Sequence, residues 1–432
     1  MMMRVTIVSR LLTGLMPLLV ASACTNDPST PNDGEILSAS DSTVKDELPF
    51  VQQCPENKYC WYLPAAPTAD AHSNPSDYRL AFSVFTGTTS GTYAVNNGTP
   101  IPFSVTAGSV TTFDIPTSTI AISSINSAEV KGVFVIANDP ISVSLYRPSS
   151  NSQEAIAAKE QTFSLGRRFR LGGYPRNGGS QAGEGSDTVL VMAPYGAEVT
   201  FEAPPGVPTP YWQGQANNTV NISLSPGQSF ALSTIRDVCD QEIDGALVTS
   251  DEDIVVVTGG RGFGGMSGSP SCELGGSCGD AGFDMTVPVD ILGNTHVVGD
   301  SPGNNAEGEM VRVVADVDGT EVRLNGVLEA TIDAGEYHQF VPGTDVSAPT
   351  LIETSQNVAV YHTAGLGCEY GLSYIPPLYF PPVASSVAFN TPSDASILVV
   401  VEAASEADMR FGGKTLSQAD TDGDISNLSS VA

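Results

Sequence analysis

The sequence predicts an all-β protein: a row of tandem antiparallel β-sandwich-like units of about six strands each, with disulfide-stapled loops. A strand end, a small polar turn and a strong apolar strand occur together three times, at 135–144, 248–258 and 352–362. In each copy, aliphatic residues follow the first one six and eight places later. Self-similarity of this kind is typical of repeat architectures. The apolar runs are short, alternating or β-branched, and bounded by Gly, Pro, Asp and Asn, which favours strands over helices.

The repeat extends upstream of this motif in every unit. Gly108, Gly227 and Gly335 each lie in a turn, and an apolar residue follows five places later. Further upstream, the turn strands 196–201 and 319–324 match, and apolar strands open the units at 80–84, 189–192 and 310–315. A fourth opening at 397–402, followed by a match at 406–411, predicts that another unit begins there.

These features divide the chain into six segments. They are 1–24, a signal peptide with a lipobox-like end; 25–48, a flexible linker; 49–158, 159–283 and 284–370, β repeat units 1, 2 and 3; and 371–432, an incomplete unit 4. A half-built sheet leaves unpaired edges, so we expect either a truncated C-terminus, which is the preferred interpretation, or strands supplied from elsewhere. A β-propeller is the alternative arrangement, and the uneven spacing of the repeats favours sandwiches.

The N-terminus has the pattern of a secretory signal. Arg4 and Arg10 flank the start of an apolar stretch at 11–20, and small residues lead to Cys24. This pattern is too short for a spanning helix. The cysteine after Ala-Ser-Ala resembles a bacterial lipobox, which implies that Cys24 carries a lipid anchoring the chain to an outer membrane or cell surface. Cleavage after Ala23 and full secretion is the alternative.

Residues 25–48 are polar and predict a flexible tether.

The net charge of the chain narrows the class of ligand. The formal net charge of −30 argues against nucleic acid and anionic lipid as ligands, because both require basic patches. It favours cationic partners, divalent ions or a salty environment.

The cysteines predict disulfides, because an even number remains after Cys24 in an exported chain. They are Cys54, Cys60, Cys239, Cys272, Cys278 and Cys368. The first two and the fourth and fifth each enclose five residues, which suits two loop staples, and the remaining two would then link units 2 and 3. Pairing of Cys239 with Cys272 and of Cys278 with Cys368 stays open. Zinc pairs are typically separated by about two to four residues, which disfavours a metal site.

Catalytic and metal patterns match only superficially. The G-x-S-x-G run at 275–279 and the G-x-G-x-x-G run at 260–265 lack the helix that each motif needs behind it, so no catalysis is predicted. Asp420, Asp422 and Asp424 resemble a calcium loop, but the sixth and twelfth positions lack the Gly and the acid of an EF-hand. A turn of unit 4 is preferred, with calcium as the candidate cofactor. The four histidines are interpreted as strand-surface residues.

Two loops hold the candidate ligand contacts. Tyr211 and Trp212 follow a proline-rich stretch in the loop 203–217, and Arg261 and Phe263 lie near the start of the segment 259–283. An exposed aromatic loop tip is a typical recognition hot spot. Aromatic residues that cap a hydrophobic core are the alternative interpretation of Tyr211 and Trp212.

The connectors between units are also alike, and together with the other motifs they carry a resemblance. The matching features are the Cys-x5-Cys loop at 272–278, Val287-Pro288, the Leu-Gly connectors 165–172 and 292–299, the Gly-Thr-Glu-Val turn at 319–322 and the polar turn before 358–360. This set resembles bacterial members of the IgGFc-binding protein N-terminal domain family, over roughly 160–400 and more weakly over 50–160.

The resemblance implies an exported binding and adhesion protein that recognises protein or glycan ligands through inter-strand loops, without catalysis. IgG Fc is the ligand in the family name and is not predicted for this chain. A secreted hydrolase with a carboxylate-based site and a purely structural envelope protein are the alternative functions.

Overall fold

The computed structural model describes residues 4–10, 53–66, 77–84, 86–147, 155–173, 186–234, 242–263, 280–299, 310–342, 349–366, 369–378, 396–402, 410–411, 414–415 and 428–431. They form β-strands and three single-turn helical segments. The fold is all-β and antiparallel within units 1 to 3, which confirms the prediction, and the units are sandwich-like rather than propeller blades. No helix among these residues is long and apolar enough to cross a membrane.

Unit 1 follows an N-terminal strand, β1 (Arg4–Arg10), and is a sandwich of two four-stranded sheets. Its strands are β2 (Tyr59–Pro64), β3 (Asp77–Ser83), β4 (Thr88–Val95), β5 (Ile101–Thr106), β6 (Val110–Pro116), β7 (Gly132–Ala137), β8 (Ser142–Tyr146) and β9 (Ala155–Ala158), with helix α1 (Thr117–Ile120) after β6. The sheet orders are β2-β7-β4-β5 and β6-β3-β8-β9.

Unit 2 repeats this arrangement, with one long strand shared by both sheets. After helix α2 (Gln161–Ser164) come β10 (Gly166–Arg170), β11 (Ser186–Ala193), β12 (Ala197–Glu202), β13 (Thr219–Leu224), β14 (Gln228–Ser233), β15 (Leu247–Phe263) and β16 (Asp280–Met285). The first half of β15 pairs with β10 and β12, and the second half pairs with β11 and β16. Strand β15 therefore takes the places that the separate strands β7 and β8 have in unit 1.

Unit 3 has the topology of unit 2. After the 3-10 turn η1 (Val289–Ile291) come β17 (Gly293–Val298), β18 (Met310–Ala315), β19 (Thr320–Leu324), β20 (Val327–Ile332), β21 (Tyr337–Phe340), β22 (Thr350–Leu366) and β23 (Glu369–Tyr374). Strand β22 again crosses both sheets. Each unit thus has four strand segments in each of two sheets. Unit 1 has eight strands and units 2 and 3 have seven each, because their central strand serves both sheets, so every unit has more than the six strands expected.

The strand register confirms the repeat. The repeated aliphatic residues Val135, Val248 and Ile352 lie opposite one position of the first strand of each unit, occupied by Trp61, Phe169 and His296. The apolar residues five places after the turn glycines are likewise equivalent, since each pairs with the opening strand at the same place; they are Phe113, Leu232 and Phe340. The three glycines all have positive φ, between 76° and 84°.

The closing strands shift two predicted boundaries. Strand β23 pairs with β22, so it closes unit 3 instead of opening unit 4 at 371. Strand β16 pairs with β15 and ends unit 2 at Met285. The structure places each boundary later than predicted, because the closing strand comes after the loop that follows the long central strand. No repeated turn motif marks the closing strand in the sequence.

Only fragments of unit 4 are described. Strand β24 (Ser396–Glu402) pairs parallel with β1, which also pairs parallel with β27 (Leu428–Val431). This differs from units 1 to 3, where the opening strand has antiparallel neighbours. Strands β25 (Arg410–Phe411) and β26 (Lys414–Thr415) form a tight hairpin, as β19 and β20 do in unit 3.

Candidate binding interface

Each sandwich has one side where edge strands of its two sheets approach each other. The facing pairs are β5 and β6 in unit 1, β13 and β14 in unit 2, and β20 and β21 in unit 3. We call this the open side of the unit. Apolar side chains that point between the sheets reach water there unless something covers them, which is unfavourable.

Unit 1 fills its open side with its own aromatic rings. Phe82 and Phe103 stack with ring centroids 4.2 Å apart, and Tyr93 and Phe113 lie 4.7 Å apart. Gly91 makes room for this packing, because a Cβ there would come within 2.7 Å of the Phe103 ring. The rim of unit 1 still exposes some apolar surface, but the positions beneath it are occupied.

Unit 2 closes its open side with a loop. The chain between β12 and β13 folds back and inserts Tyr211 and Trp212, both fully buried, into the core of the unit. Their rings meet edge to face at 4.7 Å. The indole Nε1 of Trp212 donates to the carbonyl oxygen of Asn218 at 2.9 Å, and the Tyr211 hydroxyl donates to the carbonyl oxygen of Glu242. We call these two residues the aromatic plug.

The burial of the aromatic plug contradicts the prediction of an exposed recognition tip at 211–212. The structure supports the alternative, in which the pair belongs to the core, and in this conformation neither side chain can contact a ligand. The physical reason is the gap between β13 and β14, which a large apolar pair fills more favourably than water does.

Unit 3 has neither device. Its β19–β20 connection is the two-residue turn Asn325-Gly326, with φ values of 51° and 83°, which is the typical Asn-Gly hairpin turn and leaves no loop to fold back. The side chain of Leu324 is partly exposed, whereas Phe201 at the equivalent position of unit 2 is fully buried. Phe340 is also partly exposed, whereas its equivalent, Leu232, is buried.

The rim of this open side presents apolar residues to solvent. Val327 is 60% exposed and Val341 is 53% exposed, and Leu328 next to Val327 is exposed as well. Val220 of unit 2 is the equivalent of Val327, because the two residues pair with equivalent positions of the neighbouring strand, and Val220 is buried. Val327 and Leu328 follow each other in a strand and so point to opposite faces of the sheet, but all three residues lie along the same edge of the sandwich. Clustered exposed apolar residues are a feature of binding surfaces. The open side of unit 3 is therefore the candidate binding interface.

A buried charge cluster lies beside this interface, where units 2 and 3 meet. Arg312 pairs with Asp244, and its guanidinium also lies 3.1 Å from a carboxylate oxygen of Glu242. The side chains of Arg312 and Asp244 are only 3% and 0% exposed. Burial opposes the charge of Arg312, but the fields of Asp244 and Glu242 outweigh burial and raise the pKa of the guanidinium. We call Glu242, Asp244, Arg312 and Tyr337 the junction cluster.

Tyr337 connects the junction cluster to the candidate interface. It begins β21, its hydroxyl donates to Glu242 at 2.8 Å, and the guanidinium of Arg312 lies 5.1 Å from its ring centre. Burial, followed by the field of Glu242, raises the pKa of its hydroxyl above the ordinary value. At the junction of units 1 and 2 the residue equivalent to Arg312 is Leu190, which is part of a shared apolar core. The two junctions are thus built from different chemistry.

Close backbone packing also fixes the position of unit 3. A Cβ at Gly245 would come within 1.8 Å of the carbonyl oxygen of Gly335, so only glycine fits there. Asp316 accepts hydrogen bonds from Arg168 at 2.7 Å and from Arg170 at 3.0 Å. These contacts hold unit 3 against unit 2.

His296 is a buried residue that the sequence analysis placed on a strand surface. It is fully buried at the position held by Phe169 in unit 2, and that assignment was wrong. Its Nδ1 lies 3.1 Å from the carbonyl oxygen of Ile375 and its Nε2 lies 3.1 Å from that of Gly293. Burial lowers the pKa of the imidazole in spite of these carbonyl groups. The signal was present in the repeat, because the residues opposite Val135 and Val248 are large and apolar.

The structure describes only part of the other predicted sites. It contains the disulfide Cys54–Cys60. Arg261 and Phe263 lie at the end of β15, and their side chains are outside the described part of the chain. So are the remaining candidates, Cys24, Cys239, Cys272, Cys278, Cys368, Asp420, Asp422 and Asp424. Within the part that is described, no group of three or more His, Cys, Asp or Glu residues could hold a metal ion.

Tandem sandwiches with apolar residues exposed at one edge of unit 3 are compatible with a binding-type protein. Residues 160–431 match the family model described as IgGFc binding protein, which is most of the chain, and the chain therefore belongs to this family. Neither a curated protein nor a solved structure matches it. The family match begins at α2, so unit 1 lies outside it although unit 1 has the same strand order.

Proposed function

We propose that this chain is an exported binding and adhesion protein that holds a protein ligand against the open side of unit 3. The observation that carries the proposal is the difference between three equivalent sites. Unit 2 covers the core with its plug and unit 1 fills it with aromatic rings, although the rim residue Ile101 of unit 1 is exposed. Unit 3 has neither filling and leaves Val327, Leu328 and Val341 exposed around partly buried apolar residues. The name of the family, IgGFc binding protein, supports a protein as the class of ligand.

The proposed location is the cell surface or outer membrane, with Cys24 as the lipid attachment site and residues 25–48 as the tether. Processing before Cys24 removes β1, so its pairing with β24 and β27 belongs to the unprocessed chain. The disulfide Cys54–Cys60 supports export, because such bonds persist in oxidising compartments. Release of the protein after cleavage at Ala23 is the alternative outcome. Mass spectrometry of the mature N-terminus separates the two, since only the anchored form carries an acylated Cys24.

The test of the binding function is a capture experiment with the lipid-free chain. Immobilised protein is offered cell-surface proteins, matrix polysaccharides and purified IgG Fc, with and without calcium. The double variant Val327→Asp/Leu328→Asp places charge on the open side of unit 3. The control is Ile101→Asp, an exposed apolar residue on the corresponding edge strand of unit 1.

We expect one or more proteins to be captured, and the double variant to weaken capture about 10-fold or more, because a charge in an apolar contact must be desolvated. The control variant should capture as the wild type does. Capture of polysaccharide alone, or equal capture by both variants, would contradict the proposed function.

A further inference from the structure

The aromatic plug shows what chemistry an open side of this fold accepts. In unit 2 the occupant is an extended piece of chain with two adjacent aromatic residues, and its backbone bonds to the edge of β14. Gln213 donates its amide hydrogen to the carbonyl oxygen of Ser233 at 2.8 Å, and Trp212 forms an antiparallel bridge with Thr234. The occupant is thus held by side-chain packing and by strand pairing together.

The rest of the β14 edge is covered by unit 1. Glu129 and Ser229 exchange two backbone hydrogen bonds, and Asn126 donates its amide hydrogen to the carbonyl oxygen of Ala231 at 2.8 Å. Unit 1 and the segment that carries the plug therefore both bond to this edge, as expected for an edge strand that is protected from association.

Strand β21 is the equivalent edge in unit 3 and is paired differently. Its start at Tyr337 contacts unit 2 through the junction cluster. Within the described residues no backbone hydrogen bond reaches the outer edge of 338–341. Val341 stands where unit 2 has Ser233, which is almost completely buried beneath the segment that carries the plug. The end of β21 therefore has the geometry of the occupied edge without the occupant.

The side chains behind this edge leave room for rings. His338 replaces Phe230, Ala330 replaces Ile222 and Leu324 replaces Phe201, as the strand register shows. Each replacement removes apolar bulk from the open side. His338 and Phe340 lie with ring centres 6.2 Å apart and offer flat surfaces to an incoming ring.

We propose that the open side of unit 3 binds an extended segment of a protein ligand that presents adjacent aromatic side chains, in the way residues 211–213 occupy unit 2. The segment adds to the outer edge of β21, to which no described residue bonds, while its rings enter between β20 and β21. Strand addition of this kind combines main-chain affinity with side-chain specificity. The exposed acids Glu329, Asp333 and Glu336 flank the site, so the segment is neutral or basic. This inference rests on the proposed function.

The chain contains its own probe for this site. A fluorescein-labelled peptide of residues 206–218, Gly-Val-Pro-Thr-Pro-Tyr-Trp-Gln-Gly-Gln-Ala-Asn-Asn, carries the plug and no charged side chain. Fluorescence anisotropy measures its binding to the full chain, in which unit 2 is already plugged. The control peptide has Tyr211→Ala and Trp212→Ala and is otherwise identical. We expect the wild-type peptide to bind at least about 10-fold more tightly than the control, as for a buried aromatic hot spot.

Two protein variants locate the binding. Ala330→Phe fills the open side from within, since unit 1 holds Phe103 at the equivalent position, and should weaken peptide binding about 10-fold with no loss of thermal stability. Val341→Asp should weaken it as well. The control Val130→Asp alters another exposed valine, in unit 1, and should leave peptide binding unchanged.

The outcomes separate this inference from the proposed function. Equal binding of the two peptides, or equal binding to wild type and Ala330→Phe, overturns the aromatic-segment proposal. If the wild type nevertheless captures a protein and Val327→Asp/Leu328→Asp does not, the proposed binding function stands without the aromatic-segment proposal. Tight binding of the peptide together with its competition against the captured protein supports both.

Discussion

The junction cluster gives the sharpest energetic test of how unit 3 is held. Arg312→Leu copies the apolar junction of units 1 and 2, where Leu190 is equivalent, but it leaves Asp244 buried without its cation. Asp244 then keeps one backbone hydrogen bond, from the amide of Gly173 at 3.0 Å, and its side chain has no exposed surface. Breaking a buried ion pair on one side costs about 3–5 kcal/mol.

Urea unfolding measures this cost if one tryptophan reports on unit 2. The background variant Trp61→Phe is conservative, because Phe169 holds the equivalent place in unit 2. Trp212 then reports alone, and its neighbour Tyr211 is bonded to Glu242 of the junction cluster. With a denaturant slope of about 2 kcal/mol per molar urea, Arg312→Leu should lower the midpoint by about 2 M.

Two further variants make the reasoning refutable. Arg312→Leu/Asp244→Leu removes both charges and should recover most of the loss, since an apolar pair replaces a buried ion pair at little or no cost. Arg323→Leu breaks the pair with Glu321, whose side chains are 42% and 44% exposed, and should cost no more than about 1 kcal/mol. Equal midpoints for Arg312→Leu and Arg323→Leu would show that the junction charges are solvated and refute the argument.

Three other predictions follow from single residues. Burial lowers the pKa of His296, so its contribution to stability is present above pH about 6.5 and is lost at lower pH; unfolding midpoints at pH 7.5 and 5 should differ less in His296→Phe, and an unchanged difference would contradict this. Trp212→Ala should destabilise unit 2 by about 3–5 kcal/mol, and unaltered thermal unfolding would refute its role as a plug. Gly245→Ala should cost more than Gly319→Ala, whose positive φ costs about 1–2 kcal/mol and whose Cβ would meet nothing within 4 Å.

The repeat in the sequence predicted the strands well, and its equivalent residues hold equivalent places in the sheets. Val248 and Ile352 both pair with the first strand of their unit, and Val256 and Val360 both pair with the opening strand. The same pattern did not reveal that β15 runs unbroken through both sheets. A polar turn and a strand crossing from one sheet to the other look alike in sequence, because both interrupt the alternation of apolar residues.

The candidate site was harder to predict, because it depends on the absence of a covering loop between β19 and β20. Prolines and aromatic residues marked 203–217 as a special loop, but only the gap between β13 and β14 explains why Tyr211 and Trp212 turn inward. The open side of unit 3 follows from the shortness of the turn Asn325-Gly326, which reads in sequence as an ordinary hairpin. The ion pair of Asp244 with Arg312 joins residues 68 positions apart, and no local pattern connects them.

Hydrogen–deuterium exchange on the full chain, with and without the 206–218 peptide, tests the central claim most directly. If the open side of unit 3 is the binding interface, the amides of 338–341 should exchange more slowly when the peptide is bound, while those of the equivalent strand β14 stay unchanged because its edge is already paired. Slowed exchange confined to other strands, or none at all at saturating peptide, would contradict the account.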